Sequence, residues 1–223
     1  MDYIKLIDKN LYNYLQENIL PKYEKNIGGH DVSHINYVIN RSFEIIQEFN
    51  LDVNYNIVYT TAMYHDIGYK KDPDNHEIVS SQIFDSDNNI KSFFSKDDQK
   101  IIHEAIVDHR ASLEYEPRSI YGKIVSSADR EISVENMLIR SLKYQRDKHK
   151  AENPTLDDII EYSYKKLSSK YGKVNGYAKM YYKDKKYNDY IEEINVLLDS
   201  KELFKEKEKE IANKIGLLKE DNS

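Results

Sequence analysis

Apolar residues recur along this chain at helical spacing. Val32, Ile35, Ile39 and Ile46 form one stripe, widened by Val38, Ile45 and Phe49, and Asp31 or Ser33 stands where an N-cap would accept the first free amides. A helix to about Phe49 is predicted. A second runs from Tyr55 through IVYTTAMY to about Ile67, with Gly68 placed to close it in the left-handed conformation. A third, short one begins near His76. Ser95 and Asp98 resemble a capping box that opens a fourth helix through His109, with Ile102, Ala105 and Ile106 as its stripe. Pro117 suits the first turn of a fifth, in which Tyr121, Ile124, Val125 and Ala128 share a face. Beyond it, Asn153-Pro154-Thr155 marks a loop and a helix start. Leu203, Phe204, Ile211, Ile215 and Leu218 mark a terminal amphipathic helix.

Composition sharpens this into a fold class. Only 7 Gly and 4 Pro occur in 223 residues, which leaves few turns and favours long helices, so the class reads all-α. With no repeat or Gly/Ser linker to divide the chain, two parts are expected. Residues 1–144 hold an N-terminal helix and a main domain that itself begins near Lys22, and residues 145–223 form a more charged, tyrosine-rich helical extension packed on it.

The formal charge of -6, with acidic and basic residues interleaved, gives no footprint for a phosphate backbone and argues against nucleic acid as a partner. No apolar run approaches the roughly 18 residues of a membrane helix, and the start MDYIKLIDKNLYNYL is unlike a secretory signal, so a cytoplasmic protein is expected. The absence of Cys leaves metal binding to imidazole and carboxylate, a donor set suited to Mn, Fe, Co, Ni or Zn.

Ionisable residues on the apolar stripes carry the chemical information, because burying one costs several kcal/mol unless something pairs with it. Asp129 falls four residues after Val125 and eight after Tyr121 on a core-facing stripe. His34 lies four residues before Val38 on the inward side of its helix, and His65-Asp66 closes the apolar run IVYTTAMY. Singly, each reads as a core histidine bonded to a carbonyl or as a helix-end cap. Together they offer two neutral nitrogens and two carboxylates, which one cation would neutralise.

The 20 tyrosines, dense in YSYKK and KMYYKDKKYNDY, read as half-buried helix faces rather than base-stacking platforms, since the neighbouring Lys are interleaved with Asp and Glu. KELFKEKEKE reads as a solvated helix face, with a coiled or homodimer contact as the alternative.

Three separated motifs resemble those of the HD-superfamily hydrolases: GGHDVSHINYV the first, YTTAMYHDIGY the defining His-Asp doublet in its HDIG form, and KIVSSADRE the final aspartate motif. The likeness covers about Gly28 to Arg140. It implies an HD-domain helical bundle with additional C-terminal helices, YAKMYYKDKKYNDYIEEINVLL resembling the closing helix of small members. His34, His65, Asp66 and Asp129 are implied as metal ligands, with His30 at the rim.

His76 and His109 resemble the extra histidines of HD subgroups that hold two ions. His109 lies on the core stripe and His103 is turned away from it, while His76 stands open between ligand and helix cap. In a two-ion site Asp66 would bridge. The implied reaction is hydrolysis of a phosphoester or phosphoanhydride in a small nucleotide or other phosphorylated metabolite, with one or two divalent ions (Mn, Fe, Co, Ni, Zn or Mg) lowering the pKa of water from 15.7 to about 7.

Cations near the motifs are the candidates for holding the phosphoryl group: Lys70, Arg110 and Arg130 first, then Lys71 and Arg140. A diiron oxygenase containing both His76 and His109, a non-catalytic metal- or nucleotide-binding module, and a nucleic-acid-processing protein are the alternatives. The acidic balance counts against the last.

Overall fold

Asp8 caps the first helix, α1 (Lys9–Asn18), its carboxylate accepting the amides of Asn10 and Leu11, and Asp31 caps α2 (Val32–Glu48) through those of Ser33 and His34. The computed structural model describes residues 3–25, 30–174 and 176–217, so Gly28 of the first motif and Leu218 of the last stripe lie outside the described residues. The helices continue as α3 (Tyr55–Tyr64), α4 (His76–Ser86), α5 (Asn88–Lys91), α6 (Lys96–Val107) and α7 (Ile120–Ala128). After them come α8 (Val134–Lys148), α9 (Leu156–Tyr171), α10 (Lys185–Asp199) and α11 (Lys201–Lys214). Among the described residues there is no strand, and the fold is the all-α helical bundle expected.

The chain divides into two compact units. The first comprises residues 1–130 and 179–182, the second 131–178 and 183–223; the sequence-based partition at Tyr144 falls inside α8. In the first unit α2 packs on α7 and α3, and α6 packs on α3, α4 and α7. Ile35, Val38 and Ile45 of α2, Val58 and Ala62 of α3, Ile102 and Ile106 of α6, and Ile124 and Val125 of α7 are fully buried where these helices meet. In the second unit α9 and α11 pack on α8, and α10 packs on α9.

Five local expectations need correction. The doublet helix stops at Tyr64, and residues from His65 to Lys71 continue as turns. Gly68 has no positive φ; glycine is needed there for space, because a Cβ would stand 2.7 Å from His76 O and Ser80 N and 2.8 Å from Val79 Cβ. Pro117 precedes the cap of α7, which is Ser119, and His109 lies beyond the end of α6. The stretch 177–184 is not helical: its middle, 179–182, belongs to the first unit, where Lys179 Nζ donates to the carbonyls of Leu113 and Glu114 and the Tyr181 amide donates to Ser127 Oγ. No helix among the described residues is long and apolar enough to cross a membrane.

The second unit holds a buried carboxyl. Glu208 follows Phe204 by one turn on the core face of α11 and is fully buried; it accepts Ser163 Oγ at 2.6 Å, and Ser163 shares a 2.6 Å contact with Ser141. Burial pushes its pKa up to about 8, against a smaller opposing pull from the Ser163 hydroxyl. Between the unfolded-state value, about 4.5, and the folded value, the native state holds a proton that the unfolded chain has released, so stability falls as pH rises through this window and levels off above about 8. The loss should be on the order of a few kcal/mol. Glu208→Gln should flatten the melting temperature between pH 5 and 8, where each kcal/mol is worth roughly 2–4 °C for a chain of this size. A variant retaining the wild-type slope would show that another group titrates.

Candidate metal centre

The end of α3 is fixed from several sides. Tyr23 donates its hydroxyl to Met63 O at 2.9 Å, Tyr64 donates to Asp87 Oδ2 at 2.7 Å, and the Gly68 amide donates to Ser80 Oγ at 2.9 Å. Asp87 also accepts Tyr14 and the amides that it caps on α5. The doublet His65-Asp66 is therefore held in the interior, both residues essentially inaccessible. Sequence reasoning assigned the tyrosines to packing and missed these contacts; a hydroxyl's partner is set by which helix lies opposite.

The structure brings together six residues from five separate stretches of the chain, with Asp66 among them. His34 Nε2, from α2, is 3.1 Å from Asp129 Oδ1 and 3.3 Å from Asp66 Oδ2; His65 Nε2 is 3.3 Å from the same Asp66 oxygen and 3.9 Å from Asp129 Oδ1. On the other side, Asp66 Oδ1 is 3.3 Å from His76 Nε2 and 3.5 Å from His109 Nε2, and these two nitrogens are 3.1 Å apart. Two ligand groups result, His34-His65-Asp66-Asp129 and Asp66-His76-His109, with donor atoms in each within 4.8 Å of one another. They share one carboxylate.

The tautomers follow from the backbone. His65, His76 and His109 each place Nδ1 2.7–2.9 Å from the carbonyl three residues earlier, of Ala62, Pro73 and Ile106. A carbonyl accepts only, so Nδ1 carries the proton and Nε2 turns a lone pair into the centre. The His76 and His109 lone pairs thus oppose each other, and Nε2 of His34 and of His65 is buried without a well-aligned hydrogen bond. Such an arrangement calls for a cation. Adjacent donors about 2.1 Å from one ion stand about 3.0–3.4 Å apart, so the shorter contacts have the spacing of shared ligands. The residues present fit a divalent ion in the first group and a second ion beside it.

The electrostatics agree. Burial opposes charge on His34, but the carboxylates of Asp129 and Asp66 beside its Nε2 prevail and raise its pKa to about 9. His109 is likewise raised against its burial by Asp66, whereas burial and the neighbouring His109 lower His76. Burial works against ionisation of Asp66 and Asp129 too, yet the surrounding imidazoles hold both well below the usual carboxylate range. Two anions kept ionised in the interior attract a proton or a metal to the same place.

The other candidates divide. Arg130 is buried; its guanidinium meets Asp129 Oδ2 at 3.2 Å, His109 O at 3.1 Å and Ser126 Oγ at 3.0 Å, so it orients one ligand and braces the segment bearing another. Arg110 donates to Asp74 O and to both oxygens of Glu77, the residues on either side of the Asn75-His76 pair. Lys70 and Lys71 are exposed, and neither is bonded to the ligand groups. Arg140 lies in the second unit, 3.9 Å from Glu131. His103 is at the surface with Asp85. His30, expected at the rim, stands 2.6 Å from Asp66 Oδ2.

Residues 31–132 match the family model described as HD domain, a span containing all six ligand candidates. This stretch is an HD domain, a module of a superfamily of metal-dependent phosphohydrolases. No curated protein and no solved structure matches the chain.

Proposed function

We propose that this protein is a metal-dependent phosphohydrolase acting on a small phosphorylated metabolite or nucleotide in the cytoplasm. The observation that carries the reading is the single carboxylate of Asp66, flanked by two ligand groups whose Nε2 atoms face it from both sides. His34, His65, Asp66 and Asp129 would hold one divalent ion, and Asp66, His76 and His109 a second. Such ions supply Lewis acidity, activating water at neutral pH and neutralising phosphoryl oxygens.

The chain's own residues do the rest. The backbone carbonyls of Ala62, Pro73 and Ile106 hold three imidazoles in the ligating tautomer, and Arg130 holds Asp129. Arg110 and Lys70 are the cations for the phosphoryl group. Arg110 stands at the edge nearest His76 with about a third of its side chain exposed, and exchanges Glu77 for the substrate's anion. Elemental analysis of the purified protein, followed by a phosphate-release screen over nucleotides and sugar phosphates with Mn, Co, Fe and Mg, tests the reading. Release should depend on added metal and stop with chelator; wild type inactive with every metal would leave a metal- or nucleotide-binding module.

The presence of both His76 and His109 also favours a second reading, a diiron oxygenase. It requires bound iron and oxygen consumption, and the same preparations decide between the two.

A further inference from the structure

Five imidazoles surround the Asp66 carboxylate, and the shortest of their contacts comes from the one outside both ligand groups. His30 Nδ1 is 2.6 Å from Asp66 Oδ2, against 3.3–3.5 Å for His34, His65, His76 and His109. Its ring stacks on Tyr69, centroids 3.7 Å apart and planes 19° from parallel. With centroid distances of 5.4 Å to His34 and 6.4 Å to His76, it stands at the seam between the two groups.

That position addresses a problem set by the carboxylate itself. The terminal torsion of an aspartate is broad and two-fold, so the backbone does not decide where its oxygens point. Nor can three of the ligating histidines decide it while neutral: His65, His76 and His109 spend their N–H on backbone carbonyls and turn lone pairs toward Asp66, and His34 Nε2 lies farther off than His30, at 3.3 Å. His30 presents Nδ1 to a carboxylate oxygen, which only accepts, so this nitrogen is the donor. We propose that His30 is the positioning residue of the centre: its Nδ1–H, held in direction by the stack on Tyr69, pins Asp66 so that Oδ2 serves the first ligand group and Oδ1 the second, allowing both to be filled at once.

The inference rests on the two-ion reading above and is tested by metal binding rather than turnover. Metal-stripped full-length protein is titrated with Mn2+ by calorimetry and with Co2+ by visible absorption. Wild type should take two ions. His30→Ala should weaken the second by roughly 10–100-fold, the usual cost of losing an outer-shell contact, and leave the first near wild type. His30→Asn, whose amide nitrogen falls near the place of Nδ1, should restore the second ion; His30→Gln, whose amide reaches the place of Nε2, should not. Tyr69→Phe keeps the ring and should bind as wild type.

A merely structural role would lower the metal-free melting temperature and would not distinguish Asn from Gln. Should His30→Ala fail to fold, the Asn and Gln pair decides. Two ions bound with wild-type affinity by His30→Ala, or equal behaviour of Asn and Gln, overturns the proposal while leaving the two-ion centre standing. A wild type that binds one ion or none overturns the two-ion reading and the proposal with it.

Discussion

Asp66→Ala should leave the protein without stably bound divalent metal and lower phosphate release by about 10³-fold or more, since water must then react near its bulk pKa of 15.7 rather than about 7. The expectation follows from Asp66 being the only residue shared by the two ligand groups. Loss of His76 or His109 leaves the four-residue group complete, and loss of His34 or Asp129 leaves the three-residue group complete; loss of Asp66 leaves neither. With neither group able to hold an ion, apo and metal-treated protein should melt alike. Asp66→Asn, of the same size, separates charge from packing and should fail in the same way. Elemental analysis, melting with and without Mn2+, and phosphate release are the measurements. Unchanged activity in either variant would remove the metal from the mechanism.

Gly68→Ala should cost about 1–3 kcal/mol of stability, the usual range for overpacking, and reduce metal stoichiometry from two ions to one. The added carbon would meet the backbone of α4 at His76 O and Ser80 N, both at 2.7 Å, and Val79 Cβ at 2.8 Å. Two of these are main-chain atoms that cannot swing aside, so relief comes only by moving the start of α4, which carries His76. The same movement stretches the 2.9 Å bond from the Gly68 amide to Ser80 Oγ. The four-residue group takes no ligand from α4 and should still take its ion. Calorimetric titration and thermal melting check both parts; a variant that binds two ions at wild-type affinity would show that α4 can yield without carrying His76 away.

These two residues differ in how far the sequence discloses their part. Asp66 stands out because a carboxylate directly after a histidine, closing an apolar run, has no cheap explanation in a helical core. Gly68 was read from the same stretch as a left-handed cap, because that is the commonest reason for glycine after a helix. Its actual reason is a neighbour eight to twelve residues on, whose approach no local rule contains. His76 poses the same difficulty: helix start and ligand are both true of it, since its Nδ1 bonds Pro73 O in the turn that opens α4 while its Nε2 faces Asp66. Arg130 looked like a phosphate-facing cation from its place beside Asp129, yet it is buried with Asp129, His109 O and Ser126 around its guanidinium.

Periodicity and donor chemistry suffice for the helical class, the inward faces of α2, α6 and α7, and the identity of His34, His65, Asp66 and Asp129 as residues needing a common partner. Those are properties of a single helix and of single side chains, and one dimension records them. Which oxygen of Asp66 faces which imidazole, why α4 can approach the doublet, and how His30 comes to lie across the seam are decided by packing between elements, because each depends on distances between residues that the chain holds from eight to 43 positions apart.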